Sequence, residues 1–231
     1  MDDTAAGPGT PRITQAMEDY LKGVYRLGQH GGEVTTQQLA EELGISGPSV
    51  TNMVKRLNEL LLVQHTPYHG VRLTPAGERV ALEVIRHHRL LELYLAETLG
   101  YPWDQVHAEA ERLEHHVSEE LEARIDSALG HPTRDPHGDP IPSREGTIAP
   151  VPGTRLLDLG TGQRGIVSRV SDRDPEQLRY LGSIGLVLGA VVTVLERLPF
   201  EGPLRIGVDG AEHVIGRPLA AAVHVDDAER S

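Results

Sequence analysis

The chain has 231 residues, 39% of them hydrophobic, and a formal net charge of −12. This length is enough for two small domains with ordinary cores, and no apolar run approaches the roughly 18–20 residues of a membrane span, so no membrane partner is expected. Cysteine is absent, which excludes disulfides, zinc fingers and thiol catalysis and leaves histidine and carboxylate as the strong metal ligands. The first twelve residues lack an apolar signal core, so we expect a cytoplasmic protein.

The acidic charge is unevenly distributed. Residues 76–130 hold five basic and twelve acidic side chains, which is more than half of the net excess. The stretch from Ser46 to Arg72 is instead locally basic, with three basic side chains against one acidic. The net charge argues against a nucleic-acid partner, because phosphate contacts need Lys and Arg. The local basic stretch restores that possibility.

The N-terminal third has the pattern of a DNA-binding head. Residues 1–13 are expected to form a flexible arm, and apolar residues at helical spacing predict a helix beginning after Thr14. A short helix then ends at Gly44, a three-residue turn follows, and a second helix runs over about 47–60. Two strand-like runs come next. This order predicts a winged helix-turn-helix domain over 14–75.

Polar and basic residues on the outer face of the second helix, and on the wing, could contact base edges and phosphates of double-stranded DNA. They are Ser46, Pro48, Ser49, Thr51, Asn52, Lys55, Arg56 and Arg72. The alternative is a small helical hairpin with no DNA-binding role.

Residues 76–130 are predicted to form a helical bundle. Thr74 and Pro75 begin a long helix that ends near Leu99, a second helix starts near Asp104, and a third is capped by Ser118. Short connections make these helices antiparallel neighbours, and such bundles commonly form dimers.

Two clusters of histidine and carboxylate lie on these helices. They are His88 with Glu92, and His107 with Glu111, Glu114 and His115. Residues three and four apart share a helix face, so each cluster can direct several ligand atoms at one point. This spacing predicts a metal site, and the alternative is that the charged side chains simply face water.

No ligand role is predicted for the remaining histidines. His87 and His116 point about 100° away from their neighbours on an ideal helix, so we expect packing or surface positions. The histidines of loops and strands, His137 among them, have no partner at ligand spacing.

The C-terminal part of the chain changes character. Residues 131–153 are rich in Pro and Gly and predict a linker or extended loop. Short apolar runs over 154–231, separated by Gly, Asp or Pro and interrupted by a helical turn near Pro175, predict a small SH3-like β-barrel.

Several motifs together resemble one family. They are MEDYLKGVY, SGPSVTNMVKRL, LTPAGE, HRLLE, VHAEAERLEHH, DPHGDPIP and PEQLRYLGSIGL. In nearly its whole length the chain resembles the diphtheria-toxin-repressor and manganese-transport-regulator (DtxR/MntR) family of metal-dependent transcriptional regulators. The resemblance implies a mainly α fold with a C-terminal β domain: a winged helix-turn-helix, a helical metal-binding and dimerisation domain, and an SH3-like (FeoA-type) barrel.

The resemblance also implies two metal sites per subunit. The primary site would take Asp19, Glu111, Glu114 and His115. The second would take His88, Glu92 and His107, completed by Asp174 and Gln177 from the barrel.

The resemblance favours manganese over iron. Asp19 and Glu111 stand where the iron-responsive branch of the family has methionine and cysteine, and hard carboxylates favour Mn²⁺ over softer ions, with Fe²⁺ as the alternative. Lys22 replaces a glutamate that helps the manganese branch to build a close metal pair, so two separated sites are expected.

The implied function is a homodimeric repressor that binds a palindromic operator when metal is bound, with metal-uptake genes as its targets. Two alternatives of other classes remain. A metalloenzyme would need a water-activating site, and no HExxH motif occurs. A winged-helix sensor of an organic ligand would leave the clustered histidines and carboxylates unexplained.

Overall fold

The computed structural model describes residues 13–29, 31–66, 69–151 and 153–227. The predicted arm, except Ile13, and the tip of the predicted wing lie outside these ranges. The chain divides into two compact units. The first contains the chain up to residue 86 together with residues 144–147, and the second contains residues 87–143 and the chain from residue 148 onward. Among the described residues, none of the helices has the length and hydropathy to cross a bilayer.

The first unit is the predicted winged helix-turn-helix. Its elements are α1 (Gln15–Gly28), α2 (Thr36–Leu43), α3 (Gly47–Glu59), β1 (Val63–Thr66), β2 (Gly70–Leu73) and the start of α4 (Pro75–Glu97). Thr35 and Gln38 form a capping box at the start of α2, and Gly44 ends it in the left-handed conformation. The strands β1 and β2 pair antiparallel as the wing.

Gly77 fixes how α4 leaves the wing. A Cβ atom at this position would lie 1.9 Å from the carbonyl oxygen of Leu62. We expect Gly77→Ala to lower the free energy of unfolding by about 1–3 kcal/mol, because the overlap outweighs the roughly 1 kcal/mol that alanine gains in a helix. Urea denaturation of the two proteins measures the difference. Gly47→Ala is the matched control, since a Cβ there meets nothing within 4 Å; equal losses in both variants would contradict the prediction.

The helices of the second unit are the C-terminal half of α4, α5 (Val106–Leu113) and α6 (Glu119–Ala128). The helix predicted to carry His115 ends earlier, at Leu113, and a 3₁₀ turn spans Glu114–His116. The chain must leave the helix here because Val117 is extended and Ser118 caps α6. The core between these helices includes Leu90, Leu91, Leu95, Val106, Ala110 and Ile125.

The Pro- and Gly-rich segment after α6 has no helix or strand among its described residues, yet residue 135 and residues 137–142 are buried. Oδ1 of Asp135 accepts hydrogen bonds from the backbone N–H groups of His137 and Asp139, at 2.8 and 2.9 Å. Gly138 has φ of +90°, and a Cβ there would lie 2.1 Å from the carbonyl oxygen of Ser168. Only glycine permits this close approach, so the segment is packed as a fixed loop.

The C-terminal β domain is a six-stranded antiparallel sheet in the order β3-β8-β4-β5-β6-β7. Its elements are β3 (Thr154–Arg155), β4 (Arg164–Val170), α7 (Pro175–Ser183), β5 (Val191–Arg197), β6 (Leu204–Val208), β7 (Ala211–Ile215), α8 (Arg217–Ala221) and β8 (Val223–Asp227). The apolar residues that follow β3 form a 3₁₀ turn over Leu156–Asp158. Alternating residues such as Val192, Val194, Ile206 and Val208 fill the core.

Candidate metal centre

The site is built first on α4 in the second unit. His88 and Glu92 are one turn apart, and both side chains are almost completely buried, at 2% and 0% exposed. Their Nε2 and Oε1 atoms lie 3.0 Å apart. The helical spacing thus places a nitrogen and an oxygen ligand side by side inside the protein, where an unpaired charge would be costly.

His107, in the first turn of α5, completes a triangle with this pair. Its Nδ1 lies 3.1 Å from Oε1 of Glu92 and 3.0 Å from Nε2 of His88. Asp172, in the loop after β4, adds a carboxylate oxygen 3.2 Å from the same Nδ1. Metal bonds of about 2.1 Å place neighbouring ligands about 3 Å apart, so this group of four fits a divalent cation.

Asp174 and Gln177, predicted from the resemblance to complete this group, lie elsewhere in the same loop and helix. The Asp174 carboxylate caps α7 by accepting hydrogen bonds from the backbone N–H groups of Glu176 and Gln177, and it also accepts one from the Gln177 side chain. Asp172, two residues earlier, is the carboxylate brought next to His107. The Asp-Pro pair at the start of α7 is a helix-start signal that could have distinguished the two.

The second carboxylate oxygen of Glu92 faces a different group. Oε2 lies 3.9 Å from Nδ1 of His137, and both atoms are buried without a hydrogen-bond partner among the described residues. Asp135 joins them in a fully buried set of three potential ligands. The sequence interpretation missed both loop residues because they follow no helical spacing, and the D-x-H pattern within DPHGDPIP was the available signal.

The electrostatics of this region are dominated by Glu92. Burial alone would raise the pKa of Glu92, but the charge of His88 and hydrogen bonding with His107 hold it well below its usual value. Burial would lower the pKa of His107, but its hydrogen bonds to Asp172 and Glu92 raise it to about 10. Burial would also lower the pKa of His137, but the Glu92 carboxylate raises it to about 9, although the two side chains are too far apart for a hydrogen bond.

The same two causes act on the remaining members. Burial opposes the raised pKa of His88, which the carboxylates of Glu92 and Glu114 produce. Burial, followed by the charges of Glu92 and Asp139, raises the pKa of Asp135. In the metal-free protein, protons on the histidines therefore balance the buried carboxylates.

The residues predicted for the primary site are divided between the two units. Asp19 lies on α1 of the first unit. In the second unit, Oε2 of Glu114 lies 2.6 Å from Nδ1 of His88, and Oε1 lies 3.3 Å from Nε2 of His115. Oε1 of Glu111 is 3.9 Å from the same nitrogen of His88. His88 thus contacts Glu114 on one side and the Glu92 group on the other.

His87 is buried, as expected for a packing residue, with Nδ1 at 3.3 Å from the carbonyl oxygen of Glu114 and Nε2 at 3.1 Å from the Glu122 carboxylate. His116 is exposed. A second network fixes the loop, since the Asp139 carboxylate accepts from Arg89 on α4 and from Arg169 on β4.

All eight residues predicted to face DNA are exposed in the first unit. Pro48 lies in the first turn of α3, and the hydroxyl oxygens of Ser46 and Ser49 are 2.9 Å apart. Arg72, on the wing, pairs with Glu33 at 3.2 Å. The buried face of α3, with Val50, Val54 and Leu57, points the other way.

Comparisons with known proteins agree with this arrangement. Residues 12–71 match the model of the iron dependent repressor N-terminal DNA binding domain, residues 74–143 match the iron dependent repressor metal binding and dimerisation domain, and residues 154–227 match the FeoA domain. The iron-dependent repressor IdeR of Mycobacterium tuberculosis is 34% identical over 227 residues, which cover 93% of this chain and 98% of that protein. The chain belongs to the DtxR/MntR family of metal-dependent transcriptional repressors.

Members of this family with solved structures share the fold. A manganese-dependent transcriptional repressor in complex with manganese is 43% identical and superposes with a TM-score of 0.86, over 91% of this chain and 99% of that one. The manganese regulator SloR is 32% identical with a TM-score of 0.76, over 93% and 100%. The fold predicted from the sequence, including the SH3-like FeoA domain, is confirmed, and family membership favours a repressor over a metalloenzyme.

The ligands suit the divalent metals that DtxR/MntR repressors sense. The buried group offers only imidazole nitrogen and carboxylate oxygen, and two of its atoms, Oε2 of Glu92 and Nδ1 of His137, have no hydrogen-bond partner in the part of the chain that the structure describes. Buried polar atoms normally have one, so a cation is a fitting partner here.

Proposed function

We propose that this protein is a manganese-activated repressor that acts in the cytoplasm as a homodimer on a palindromic operator. The observation that carries the proposal is the triangle of buried His88 and Glu92 with half-buried His107, whose ligand atoms stand 3.0–3.1 Å apart. Nitrogen and oxygen donors without sulfur favour Mn²⁺ or Fe²⁺ over softer ions. Fe²⁺ is the alternative activator, since several relatives are iron-dependent repressors.

Two sites per subunit are proposed. The second site uses the triangle with Asp172, and the assignment of Asp174 and Gln177 is not carried forward because the Asp174 carboxylate caps α7 and accepts from the Gln177 side chain. The primary site takes Asp19, Glu111, Glu114 and His115, and rests on the resemblance and on the types of the residues. A bound cation would offset the negative charge of these carboxylates.

The residues of the primary site couple metal binding to DNA binding. Asp19 lies on α1, which packs against α2, and α2 packs against α3, whose outer face carries Ser49, Thr51 and Lys55. Holding Asp19 together with ligands of the dimerisation domain would restrict the orientation of α3. The coupling expected between two such sites is about 1–3 kcal/mol.

A direct test is the binding of promoter DNA, measured by gel shift, in excess Mn²⁺ and in chelator, with Fe²⁺ titrated in parallel without oxygen. We expect binding in Mn²⁺ to be about 5–150-fold tighter than in chelator, the range that this coupling allows. Equal binding under both conditions would rule out a metal-dependent repressor.

Glu111→Ala tests the primary site. We expect it to raise the Mn²⁺ concentration for half-maximal DNA binding by at least about 10–100-fold. Removing a residue that only supports a metal ligand already weakens metal binding by about this factor. Glu109→Ala, which removes an ion pair with exposed Arg112 on the same helix, is the matched control. An identical response of the two variants would remove Glu111 from the site.

A further inference from the structure

Glu92 presents its two carboxylate oxygens to two different groups of side chains. Oε1 faces His88 and His107, as described above. Oε2 faces His137 Nδ1 at 3.9 Å, and Asp135 lies close enough for the ligand atoms of the three residues to fall within 4.8 Å of one another. Glu92 and His137 are both 0% exposed.

The orientation of the His137 ring is fixed from its far side. Its Nε2 lies 2.7 Å from the carbonyl oxygen of Trp103. A carbonyl oxygen only accepts, so Nε2 carries the hydrogen and donates it, and in the neutral ring Nδ1 is left as a lone pair directed at Glu92. A backbone carbonyl that accepts from the outer nitrogen is the usual support of a metal-binding histidine.

The orientation of the Asp135 carboxylate is also fixed. Its Oδ1 is held by two backbone N–H groups of its own loop, whereas Oδ2 lies 3.7 Å from Nε of Arg89, beyond hydrogen-bond distance. The neighbouring Asp139 is already engaged by two arginines. Asp135, and not Asp139, is therefore the loop carboxylate available to a cation.

We propose that Glu92 bridges two divalent cations: one held by His88, His107 and Asp172 with Oε1, and another held by Asp135 and His137 with Oε2. The inference rests on the proposed metal-activated function and adds a third cation to the two sites per subunit described above. Carboxylates commonly bridge such pairs at about 3.5–4 Å. A single cation would leave Oε2 and Nδ1 of His137 without a partner in a buried environment.

The test is the number of Mn²⁺ ions bound by the full-length protein, measured by elemental analysis after equilibrium dialysis, together with low-temperature electron paramagnetic resonance. We expect three Mn²⁺ per subunit and the signal of a magnetically coupled pair. His137→Ala should bind two and lose the coupled signal, and Asp135→Asn should do the same. His116→Ala, which removes an exposed histidine, should retain three.

Trp103 provides a second readout, since it is the single tryptophan of the chain and its ring stacks on that of His137 at a centroid distance of 5.9 Å. Paramagnetic Mn²⁺ at His137 should quench its fluorescence in the wild type but not in folded His137→Ala. If His137→Ala does not fold, Asp135→Asn decides by the same stoichiometry.

Two results would overturn the bridged pair: no more than two Mn²⁺ per wild-type subunit with no coupled signal, or three ions retained in both variants. The DNA-binding assay separates this from failure of the proposed function. Mn²⁺-dependent DNA binding with only two ions bound would reject the bridged pair alone, whereas metal-independent DNA binding would reject the repressor mechanism.

Discussion

Replacing Glu92 with alanine is expected to lower the free energy of unfolding of the metal-free protein by about 3–5 kcal/mol, the usual cost of removing one partner from a buried ion pair. The side chain is 0% exposed and stands between three histidines, two of them within 3.1 Å of Oε1. Without its carboxylate, these imidazoles must lose their protons or stay charged in a buried site.

The loss should depend on pH in a defined direction. The lowered pKa of Glu92 means that its contribution is present above its ordinary value of 4.5 and disappears as the pH falls through the folded value. The raised pKa of His107 means that its contribution is complete below 6.5 and disappears as the pH rises through about 10. The loss should therefore be largest in weakly acidic solution, between these limits, and shrink on both sides.

Urea denaturation in chelator across this pH range measures the effect. Glu97→Ala, an exposed glutamate on the same helix, is the control and should change the stability little. If Glu92→Ala were as stable as the control, the charge of the histidines in the folded protein would not depend on this carboxylate.

The affinity for Mn²⁺ is expected to rise steeply with pH. In the metal-free protein the pKa of His107 is about 10 and that of His137 about 9, so both rings carry a proton at neutral pH that a cation must displace, and the raised pKa of His88 acts in the same direction. Each displaced proton contributes about a tenfold gain in affinity per pH unit below these pKa values.

Calorimetric titration in buffers of different ionisation enthalpy counts the protons released. We expect His107→Asn to release about one proton fewer per subunit than the wild type, because asparagine has no proton to displace. Binding that releases no protons and is independent of pH would show that the histidines are neutral before the metal arrives.

The predictable part of this molecule is the part governed by local spacing. The helix cap at Ser118, and the i, i+4 relation of His88 and Glu92, follow from chain geometry and are seen in the structure. The order of helices and strands predicted the winged helix-turn-helix for the same reason. The local structure at these positions is determined by residues within one helical turn.

The remainder depends on contacts between distant segments. Asp135 and His137 become ligand candidates only because their loop is packed against α4 and β4, which composition cannot reveal. The choice between Asp172 and Asp174 depends on where α7 begins. The helix that was predicted to carry Glu114 and His115 ends at Leu113, because the cap of the next helix requires the chain to turn.

The fixed loop around Gly138 has a consequence for the order of folding. The side chains around Glu92 come from α4, from α5, from this loop and from the segment after β4, so they are assembled from regions far apart along the chain. Contacts of this range form late, after the chain entropy of the intervening loops has been overcome. During synthesis, a nascent chain that ends before β4 lacks Asp172 and the carbonyl oxygen of Ser168 against which Gly138 packs. Metal binding by the group around Glu92 should therefore be complete only when the C-terminal domain has emerged and folded.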